Sequence, residues 1–409
     1  MTVNERGFED AIEAHLLEHA GYLKGIASFF DPLLGLDTSE LFAFIGATQA
    51  DACDFRFGNP QEMPLPQIQQ ALTKWAAPKN KDWFAYKFSD PQAVKVAVES
   101  LRRRVGIDFD ARDVAMTTGA FGALASTLRA ILDPGDEVIY LSPPWFFYVP
   151  MILSCGAVPV RVEMAPPAFE LPVAAIDARI TPRTRAVIVN TPHNPSGRVL
   201  TPEELRALAS LLESAPQPVY LISDESYSRI LFDGREHHSP LEFYDRSFLI
   251  YTYGKTLLAP GQRIGYIAMS PAMPDREALR DALLVAQTAL GWTFPNALMQ
   301  YAMGDLEHAS IDVAAMQRRR DRIVESLGGM GYDVVSPEGT FYVMVRSPIP
   351  DDLEFMNRLA DERVFVLPGR MFELPGWFRI SLTANDAMVD RALGGFERAL
   401  AAVRVSNIT

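Results

Sequence analysis

Four short segments of this 409-residue chain carry reactive and anion-binding side chains. Lys255 stands in Tyr-Thr-Tyr-Gly-Lys-Thr at 251–256, and Arg263 follows eight residues later in Gly-Gln-Arg-Ile-Gly-Tyr. Upstream lie Asn-Thr-Pro-His-Asn-Pro-Ser-Gly at 190–197 and Asp-Glu-Ser-Tyr at 224–227. Together they supply an amine, a carboxylate, a phenol, an amide and a cation that can bind phosphate. This set of groups can hold an imine-forming, phosphorylated cofactor.

Short apolar segments alternate with helical segments through the middle of the chain. This alternation predicts a mainly parallel sheet that helices cover on both faces. Three of the polar segments follow predicted strands directly, and ligands in such folds bind at the carboxyl ends of strands. The predicted strands are 136–141, 158–162, 186–190, 219–223, 248–253 and 264–269.

Helical spacing and capping residues predict the remaining elements. Thr201-Pro202-Glu203-Glu204 is typical of a helix start, since it combines a capping residue, a first-turn proline and acidic residues. From about residue 274 long helices and a hairpin-like stretch predict a second, smaller α+β lobe. We therefore predict an N-terminal arm at 1–50, a large domain at 51–290 and a small domain at 291–409. The predicted helices are 8–30, 91–104, 121–132, 275–290, 308–330 and one after Asp386, and the hairpin is 332–346.

Composition excludes several classes of function. The net charge is −13, from 38 basic and 51 acidic side chains, which argues against a nucleic-acid or anionic-membrane surface. Two cysteines, Cys53 and Cys155, are too few for a disulfide framework and fit a reducing compartment. The first thirty residues lack a secretory pattern and no apolar run reaches the ~20 residues of a membrane helix, so we predict a cytoplasmic protein. We predict no metal site.

The motifs, in this order, resemble those of the fold-type I pyridoxal-phosphate enzymes, and specifically the class I/II aminotransferase family, over about residues 50–400. This resemblance implies an α/β fold whose large domain has a mainly parallel, seven-stranded sheet covered by helices, beside a smaller α+β domain. It implies pyridoxal 5'-phosphate as cofactor and transfer of an amino group from an L-α-amino acid, with a 2-oxo acid as second substrate. It also implies a homodimer whose subunits share active sites.

The resemblance assigns the reactive roles to residues of the quoted motifs. Lys255 matches the lysine that forms the Schiff base with the cofactor and then moves protons at the substrate carbon. Asp224 matches the acid that keeps the pyridine nitrogen protonated. Tyr227 and Asn194 match the residues that hydrogen-bond the phenolic oxygen of the cofactor.

The resemblance also implies how the cofactor phosphate and ring are held. Arg263 matches the phosphate-binding arginine, and Thr252 lies where the family usually has a hydroxyl. The segment Gly119, Ala120 and Phe121 opens a helix after a strand, so its backbone N–H groups can bind an anion. Tyr86 matches a tyrosine that reaches the phosphate from the neighbouring subunit, although the segment after it departs from the family pattern. Trp145 falls where an aromatic ring stacks on the cofactor, a place that its three aromatic neighbours at 146–148 can also take.

Recognition of the substrate follows from the same resemblance. Arg379, in Trp-Phe-Arg-Ile-Ser-Leu-Thr, matches the arginine that clamps the α-carboxylate, and Gly58 and Asn194 match positions that complete the carboxylate pocket. Phe30, Phe57, Tyr86 and Trp292 suggest a partly aromatic pocket for the substrate side chain.

Two other functions are compatible with parts of the pattern. A lyase or synthase of the same fold (elimination, replacement, cyclisation of the aminocyclopropane-carboxylate synthase kind) or an amino-acid oxidase would use the same cofactor site. Gly254 in place of a common serine, Arg56 beside an aromatic pair, and the ring-rich run at 145–148 keep this alternative open. A non-catalytic regulator that uses this fold as a ligand sensor is a third function. Such proteins usually append a DNA-binding helix-turn-helix, for which we expect no room within the 409 residues.

Some conspicuous residues are predicted to have ordinary roles. His193, His237 and His238 show no metal spacing and are predicted to be solvated or loop histidines. The run at 318–320, three consecutive arginines, is predicted to form the exposed face of a helix.

Overall fold

The computed structural model describes residues 52–406. In chain order the strands of this part are β1 (Cys53–Asp54), β2 (Val114–Thr117), β3 (Glu137–Ser142), β4 (Val158–Glu163), β5 (Thr184–Asn190), β6 (Tyr220–Asp224), β7 (Ser247–Thr252), β8 (Gly265–Met269), β9 (Val334–Val335), β10 (Tyr342–Arg346), β11 (Val364–Phe365), β12 (Leu367–Pro368) and β13 (Trp377–Ser381). The α-helices are α1 (Pro66–Ala76), α2 (Pro91–Val105), α3 (Ala120–Ile131), α4 (Tyr148–Ser154), α5 (Val173–Asp177), α6 (Pro202–Glu213), α7 (Tyr253–Thr256), α8 (Arg276–Ala289), α9 (Ala297–Leu306), α10 (Val313–Met330), α11 (Asp352–Asp361) and α12 (Asp386–Ser406).

A seven-stranded sheet in the order β2-β8-β7-β6-β5-β3-β4 organises the middle of the chain. Its strands run parallel except β8, which is antiparallel to both neighbours. Every residue of β3, β7 and β8 is buried, as expected for strands that are covered on both faces. The predicted mainly parallel, seven-stranded sheet is therefore confirmed.

The register of three parallel strands brings polar residues to one edge of this sheet. Asn190 at the end of β5 lies opposite Asp224 at the end of β6, and Asp224 lies opposite Ile250 in β7. β7 then ends at Thr252, where the short helix α7 begins with Thr252 as its capping residue. The amide of Asn190, the carboxylate of Asp224 and the segment that contains Lys255 therefore lie side by side.

A second, antiparallel sheet forms in the C-terminal part of the chain, with the order β12-β13-β10-β9. Arg379 lies in β13, opposite Met344 in β10 and Leu367 in β12, so it stands on a strand with partners on both sides. The hairpin predicted at 332–346 is confirmed by the antiparallel pairing of β9 with β10. The domain boundaries at 50/51 and 290/291 stay predictions.

The predicted elements agree closely with the observed ones where local signals are strong. All six predicted strands end within two residues of observed strands, and the helix start at Thr201 forms a reciprocal capping box with Glu204. The helix predicted at 308–330 is wrong at its start, because Asp312 caps a helix that begins at Val313. The helix predicted at 8–30 lies outside the described residues.

The prediction of exposed arginines at 318–320 is wrong for two of the three. Arg318 is exposed, but the guanidinium of Arg320 is buried and donates to both carboxylate oxygens of Asp233, at 2.7 and 2.9 Å. Arg319 is also buried and donates to Asp386 at 3.0 Å. Helical periodicity did not predict this burial, because a long arginine side chain can bury its stem and pair its charge with a residue elsewhere in the fold.

Two of the histidines are also more buried than predicted. His193 is buried beside Ser196, with Nδ1 and Oγ 2.7 Å apart, and burial lowers the pKa of its imidazole to about 4. The His237 Nε2 atom lies 2.8 Å from a carboxylate oxygen of Glu225, a fully buried side chain. Among the described helices, none has the length and apolar content that crossing a membrane requires.

Candidate active site

A cleft of about 530 Å³ opens at the carboxyl ends of β5, β6 and β7. Nine of the residues predicted for the site line this cleft together: Ala120, Phe121, Trp145, Asn194, Asp224, Tyr227, Thr252, Lys255 and Arg263. Four further residues line it as well: Asn190, Ser226, Gly254 and Pro260. Segments that are far apart in the sequence thus converge on one space.

Asp224 places a buried carboxylate in the wall of the cleft. One oxygen accepts hydrogen bonds from the Ser226 hydroxyl at 2.6 Å and the Ser226 N–H at 3.1 Å, and the other accepts from the Tyr148 hydroxyl at 2.7 Å. Burial raises the pKa of the Asp224 carboxyl, against these hydrogen bonds and the charge of Lys255. The carboxylate therefore favours a nearby cation, such as a protonated ring nitrogen.

Lys255 presents its amine to the same cleft. It stands in α7, where the Thr252 hydroxyl caps the helix by accepting a hydrogen bond from the Gly254 N–H at 3.4 Å. The Nζ atom lies 5.6 Å from the centre of the Tyr227 ring and 5.7 Å from that of Phe341. No carboxylate of the described residues forms an ion pair with it, so no salt bridge withdraws the amine from reaction.

Arg263 and the start of α3 form an anion site beside Lys255. Gly119 caps α3 with a φ of 83°, and a side chain there would meet the Arg263 guanidinium at 2.8 Å. Arg263 donates to the Pro260 carbonyl at 2.8 Å, and within residues 52–406 it has no carboxylate partner. Burial lowers the pKa of its guanidinium. A phosphate would satisfy both the guanidinium and the free N–H groups of the helix start.

Arg379 forms a second anion site. Its side chain is fully buried and donates to neutral acceptors, the Asn194 side-chain oxygen and the Arg56 carbonyl, each at 2.9 Å. The guanidinium lies on the Tyr342 ring at 3.7 Å from its centre, and the Nε atom has no hydrogen-bond partner in the described part of the chain. Burial lowers the pKa of this guanidinium. A carboxylate is the ligand that such an uncompensated, planar cation favours.

Gly58 closes one side of this second site. A side chain at position 58 would overlap the Phe341 ring, at 2.3 Å from its nearest carbon, and would come within 3.0 Å of the Tyr342 hydroxyl. The missing side chain therefore lets the backbone approach these two rings. Its predicted role in the carboxylate pocket stays a prediction.

Several residues of the site were not predicted from the sequence. Asn190 links two motifs, since its side chain donates to the Asp224 carbonyl at 2.7 Å and accepts from the Asn194 N–H at 2.7 Å. Asn190 could have been predicted as a site residue, because it is the first residue of the motif quoted at 190–197. Tyr148, the donor to Asp224, was considered only as an alternative ring for stacking.

Tyr342 is the other residue that sequence reasoning missed. Its hydroxyl is hydrogen-bonded to that of Tyr227, and both rings are buried. Burial raises the pKa of Tyr342, but the charges of Arg379 and Lys255 and the hydrogen bond from Tyr227 outweigh it, so the pKa lies below its usual value. Burial raises the pKa of Tyr227 well above its usual value. Tyr227 therefore stays a neutral phenol that can donate.

The other predicted residues that the structure describes do not line the cleft: Gly58, Gly119 and Arg379, which belong to the two anion sites above, and Tyr86, Phe57 and Trp292. Tyr86 is 84% exposed and packs on Phe294, with ring centres 4.7 Å apart. Phe57 is half-buried, and Phe30 lies outside the described residues. Trp292 contacts Phe121 at a distance of 6.2 Å between ring centres.

The buried Asp224 carboxylate lowers the stability of the cofactor-free protein. We expect Asp224→Asn to raise the free energy of unfolding at neutral pH by about 1 kcal/mol, as a neutral amide costs less to bury. Because the folded pKa is raised, wild-type stability falls as the pH rises from the ordinary value of about 3.9 through the folded value. Asp224→Asn should lack this fall, as measured by urea unfolding at several pH values.

Asp113 provides the matched control for this prediction. It is also a buried carboxylate, but Arg276 and Arg280 pair with it at 3.0 and 2.6 Å. Asp113→Asn should therefore lower the free energy of unfolding by about 1–3 kcal/mol, since it leaves cations unpaired. Equal destabilisation by both substitutions would contradict our account of Asp224.

Comparison with known proteins agrees with this geometry. Residues 51–396 match the family model for aminotransferase class I and II. The aspartate/prephenate aminotransferase of Thermus thermophilus is 33% identical over 355 residues, which are 84% of this chain and 89% of that protein. A crystal structure of an aminotransferase from Eubacterium rectale has a TM-score of 0.83 at 28% identity and covers 98% of this chain and 99% of its own. The Thermus thermophilus aspartate aminotransferase with maleate has a TM-score of 0.78 at 30% identity, covering 90% and 96%. The chain belongs to the class I and II aminotransferase family, whose members use pyridoxal 5'-phosphate.

Proposed function

We propose that this aminotransferase moves the amino group of an L-α-amino acid to a 2-oxo acid, with Lys255 as the group that transfers the proton. The observation that carries the proposal is the charge around the cleft. Lys255, Arg263 and Arg379 form no ion pair with any carboxylate of residues 52–406, and they accompany the buried Asp224. An amino acid and this cofactor together require one amine, two anion sites, for the phosphate and the α-carboxylate, and one site for the cationic ring nitrogen.

The residues of the cleft fit the cofactor. Arg263, the Thr252 hydroxyl and the backbone at Gly119 and Ala120 would hold its phosphate. The Asp224 carboxylate would hold a proton on the ring nitrogen. Trp145 offers a ring face, and the Asn194 amide would donate to the phenolic oxygen, as would the Tyr227 hydroxyl once it turns from Tyr342. When bound, the cofactor supplies an electron sink for negative charge at the substrate Cα atom.

The protein then has three tasks during the reaction. Arg379 binds the α-carboxylate through its planar fork, which fixes the direction of the Cα–H bond. Lys255 Nζ accepts the proton from Cα and carries it to the acceptor atom, since it is the amine that lines the cleft. Trp145 and Phe121 narrow the cleft and exclude water, which strengthens the electrostatic interactions within it.

Replacement of Lys255 tests the central role. Lys255→Ala should lose the visible absorption of the lysine-bound cofactor, and its transamination rate should fall by at least about 10³-fold, because the covalent link and the proton carrier are both removed. The measurements are an absorption spectrum after loading with pyridoxal phosphate and a coupled assay for oxo-acid release. Lys95→Ala, on the exposed face of α2, is the control. An unchanged spectrum in Lys255→Ala would refute the assignment.

Replacement of Arg379 tests the substrate site separately from the cofactor site. Arg379→Met should lower kcat/KM for every amino acid by at least about 10²-fold, since the α-carboxylate loses its bidentate partner. Arg379→Lys should recover only part of this loss, because an ammonium lacks the planar fork. The cofactor spectrum should stay that of the wild type in both variants.

Arg346 serves as the matched control for Arg379. It is an exposed arginine at the end of β10, the strand that pairs with β13. Arg346→Met should leave kcat/KM unchanged. A loss of cofactor in Arg379→Met, rather than a loss of substrate affinity, would count against the proposed division between the two anion sites.

We also propose a homodimer with shared active sites, in a reducing cytoplasm. Tyr86 and Phe88 both pack on Phe294, and all three rings are more than 40% exposed. Contiguous exposed rings of this kind favour a protein partner. The two cysteines, both buried and unpaired, accord with a reducing compartment.

Mixing two defective variants tests whether Tyr86 serves the partner's site. Lys255→Ala and Tyr86→Ala should each have low activity alone. In a hybrid dimer, one site would combine an intact Lys255 with an intact Tyr86 from the other subunit, so activity should rise after mixing and exchange. No gain in a mixture that forms hybrids, as shown by mass spectrometry, would place Tyr86 outside the partner's site.

A further inference from the structure

We infer that the substrate site selects amino acids with an apolar, preferably aromatic, side chain over dicarboxylic amino acids. This inference rests on the proposed function and specifies its substrate class. Two features of the described residues carry it: a continuous set of aromatic rings that runs from Arg379 to the cleft, and the absence, within residues 52–406, of an uncommitted cation for a second carboxylate.

The rings form a connected wall, here called the aromatic wall: Phe121, Trp145, Phe146, Phe147 and Phe372. Phe121 meets Trp145 and Phe147 edge to face, with ring centres 5.4 and 5.1 Å apart. Phe146 contacts Phe147 at 4.5 Å and Phe372 at 5.9 Å.

The aromatic wall begins at the carboxylate-binding arginine and ends in the cleft. The Arg379 guanidinium lies 4.6 Å from the centre of the Phe372 ring, while Phe121 and Trp145 line the cleft beside Lys255. An amino acid whose carboxylate is bound by Arg379 and whose Cα faces Lys255 therefore has aromatic rings within reach of its side chain. Phe121, Trp145 and Phe147 are each only partly buried, so their surfaces are available for contact.

The described cations of the cleft lining and of the Arg379 site already have partners or proposed roles. Lys255 and Arg263 are the basic residues that line it within residues 52–406, and the proposed function uses them for proton transfer and phosphate. Arg379 takes the α-carboxylate. Arg56, whose carbonyl bonds to Arg379, directs its guanidinium to Asp54 through Nε and a terminal nitrogen, both at 2.9 Å. A second substrate carboxylate would thus find no uncommitted cation among these residues.

The chemistry of the aromatic wall opposes a second carboxylate. The faces of aromatic rings carry partial negative charge, so they repel an anion, whereas an apolar or aromatic side chain packs well against them. Removing an unpaired carboxylate from water is also costly. The chain therefore differs in this respect from what the name of its aspartate/prephenate relative suggests, because aspartate carries a second carboxylate.

The test compares amino donors in a single half-reaction of the cofactor-loaded enzyme. The rate at which the visible absorption disappears is measured against the concentration of L-phenylalanine, L-leucine, L-aspartate and L-glutamate. We expect the second-order rate constant for L-phenylalanine to exceed that for L-aspartate by at least about tenfold. A half-reaction needs no oxo-acid acceptor, so the choice of acceptor cannot bias the result.

Unreactive analogues provide a readout that does not depend on turnover. Both 3-phenylpropanoate and butanedioate carry a carboxylate for Arg379, and only the second carries another one. Binding to the cofactor-loaded enzyme is measured by titration calorimetry. We expect 3-phenylpropanoate to bind at least about tenfold more tightly.

Two substitutions at Phe121 test the aromatic wall directly. Phe121→Lys places a cation at this position and should lower the ratio of phenylalanine to aspartate rate constants by at least about tenfold. Phe121→Leu keeps an apolar side chain without the ring, and it should weaken the reaction with phenylalanine a few-fold without improving that with aspartate. The leucine variant also shows whether the position tolerates change.

Failure of the inference is distinguishable from failure of the proposed function. The assay is repeated with the remaining common L-amino acids, and if none of the twenty bleaches the cofactor absorption, the proposed function is wrong. If aspartate reacts as well as or better than phenylalanine, the function stands and the inference falls, since a cation from outside residues 52–406 or from the partner subunit must then reach the side chain. A phenylalanine preference that neither Phe121 variant alters would overturn the assignment of selectivity to the aromatic wall.

Discussion

Buried charge without an ion-pair partner is the constraint on which this site depends. Asp224 accepts hydrogen bonds from hydroxyl and amide donors and forms no ion pair within residues 52–406, and Arg379 lies among neutral acceptors and rings. Each arrangement lowers the stability of the empty protein, because a buried charge that is incompletely compensated is costly. A ligand of opposite charge removes that cost, so binding energy and folding energy are linked. The same residues that destabilise the fold therefore prepare the site.

The sheet topology is what allows such charges to be held close together. β5, β6 and β7 are parallel neighbours, so their carboxyl ends meet at one edge and the chain leaves each strand with a polar residue. Asn190 ties two of these ends together through hydrogen bonds to Asp224 and Asn194. These bonds hold the loop that carries Asn194 against the ends of β5 and β6.

Much of this arrangement could be predicted from the sequence, and the exceptions share one cause. The strands, the capping box at Thr201 and nine cleft residues come from local signals: apolar runs, capping residues and motifs that follow strands. Tyr148, Tyr342 and Arg320 have no such signal. Tyr148 reaches Asp224 across 76 residues of chain and Arg320 reaches Asp233 across 87, so their partners are set by packing between distant segments. The periodicity of apolar residues indicates which face of a helix or strand is apolar, but it does not indicate which polar side chains contact each other.

Membership of the family and choice of substrate are decided by different residues. The proposed reaction uses an amine, a buried carboxylate and two guanidinium groups. Asp224 ends β6, Arg379 lies in β13, and Lys255 and Arg263 lie between β7 and β8. In the inferred binding mode, the side chain of the substrate would meet the segment after β3, the first turn of α3 and the 3₁₀ turn at Gly369–Phe372. A relative that is about 30% identical is therefore better evidence for the reaction at the Cα atom than for the substrate side chain that this chain prefers. At the positions that would meet the substrate side chain, this chain has aromatic rings instead of charged side chains.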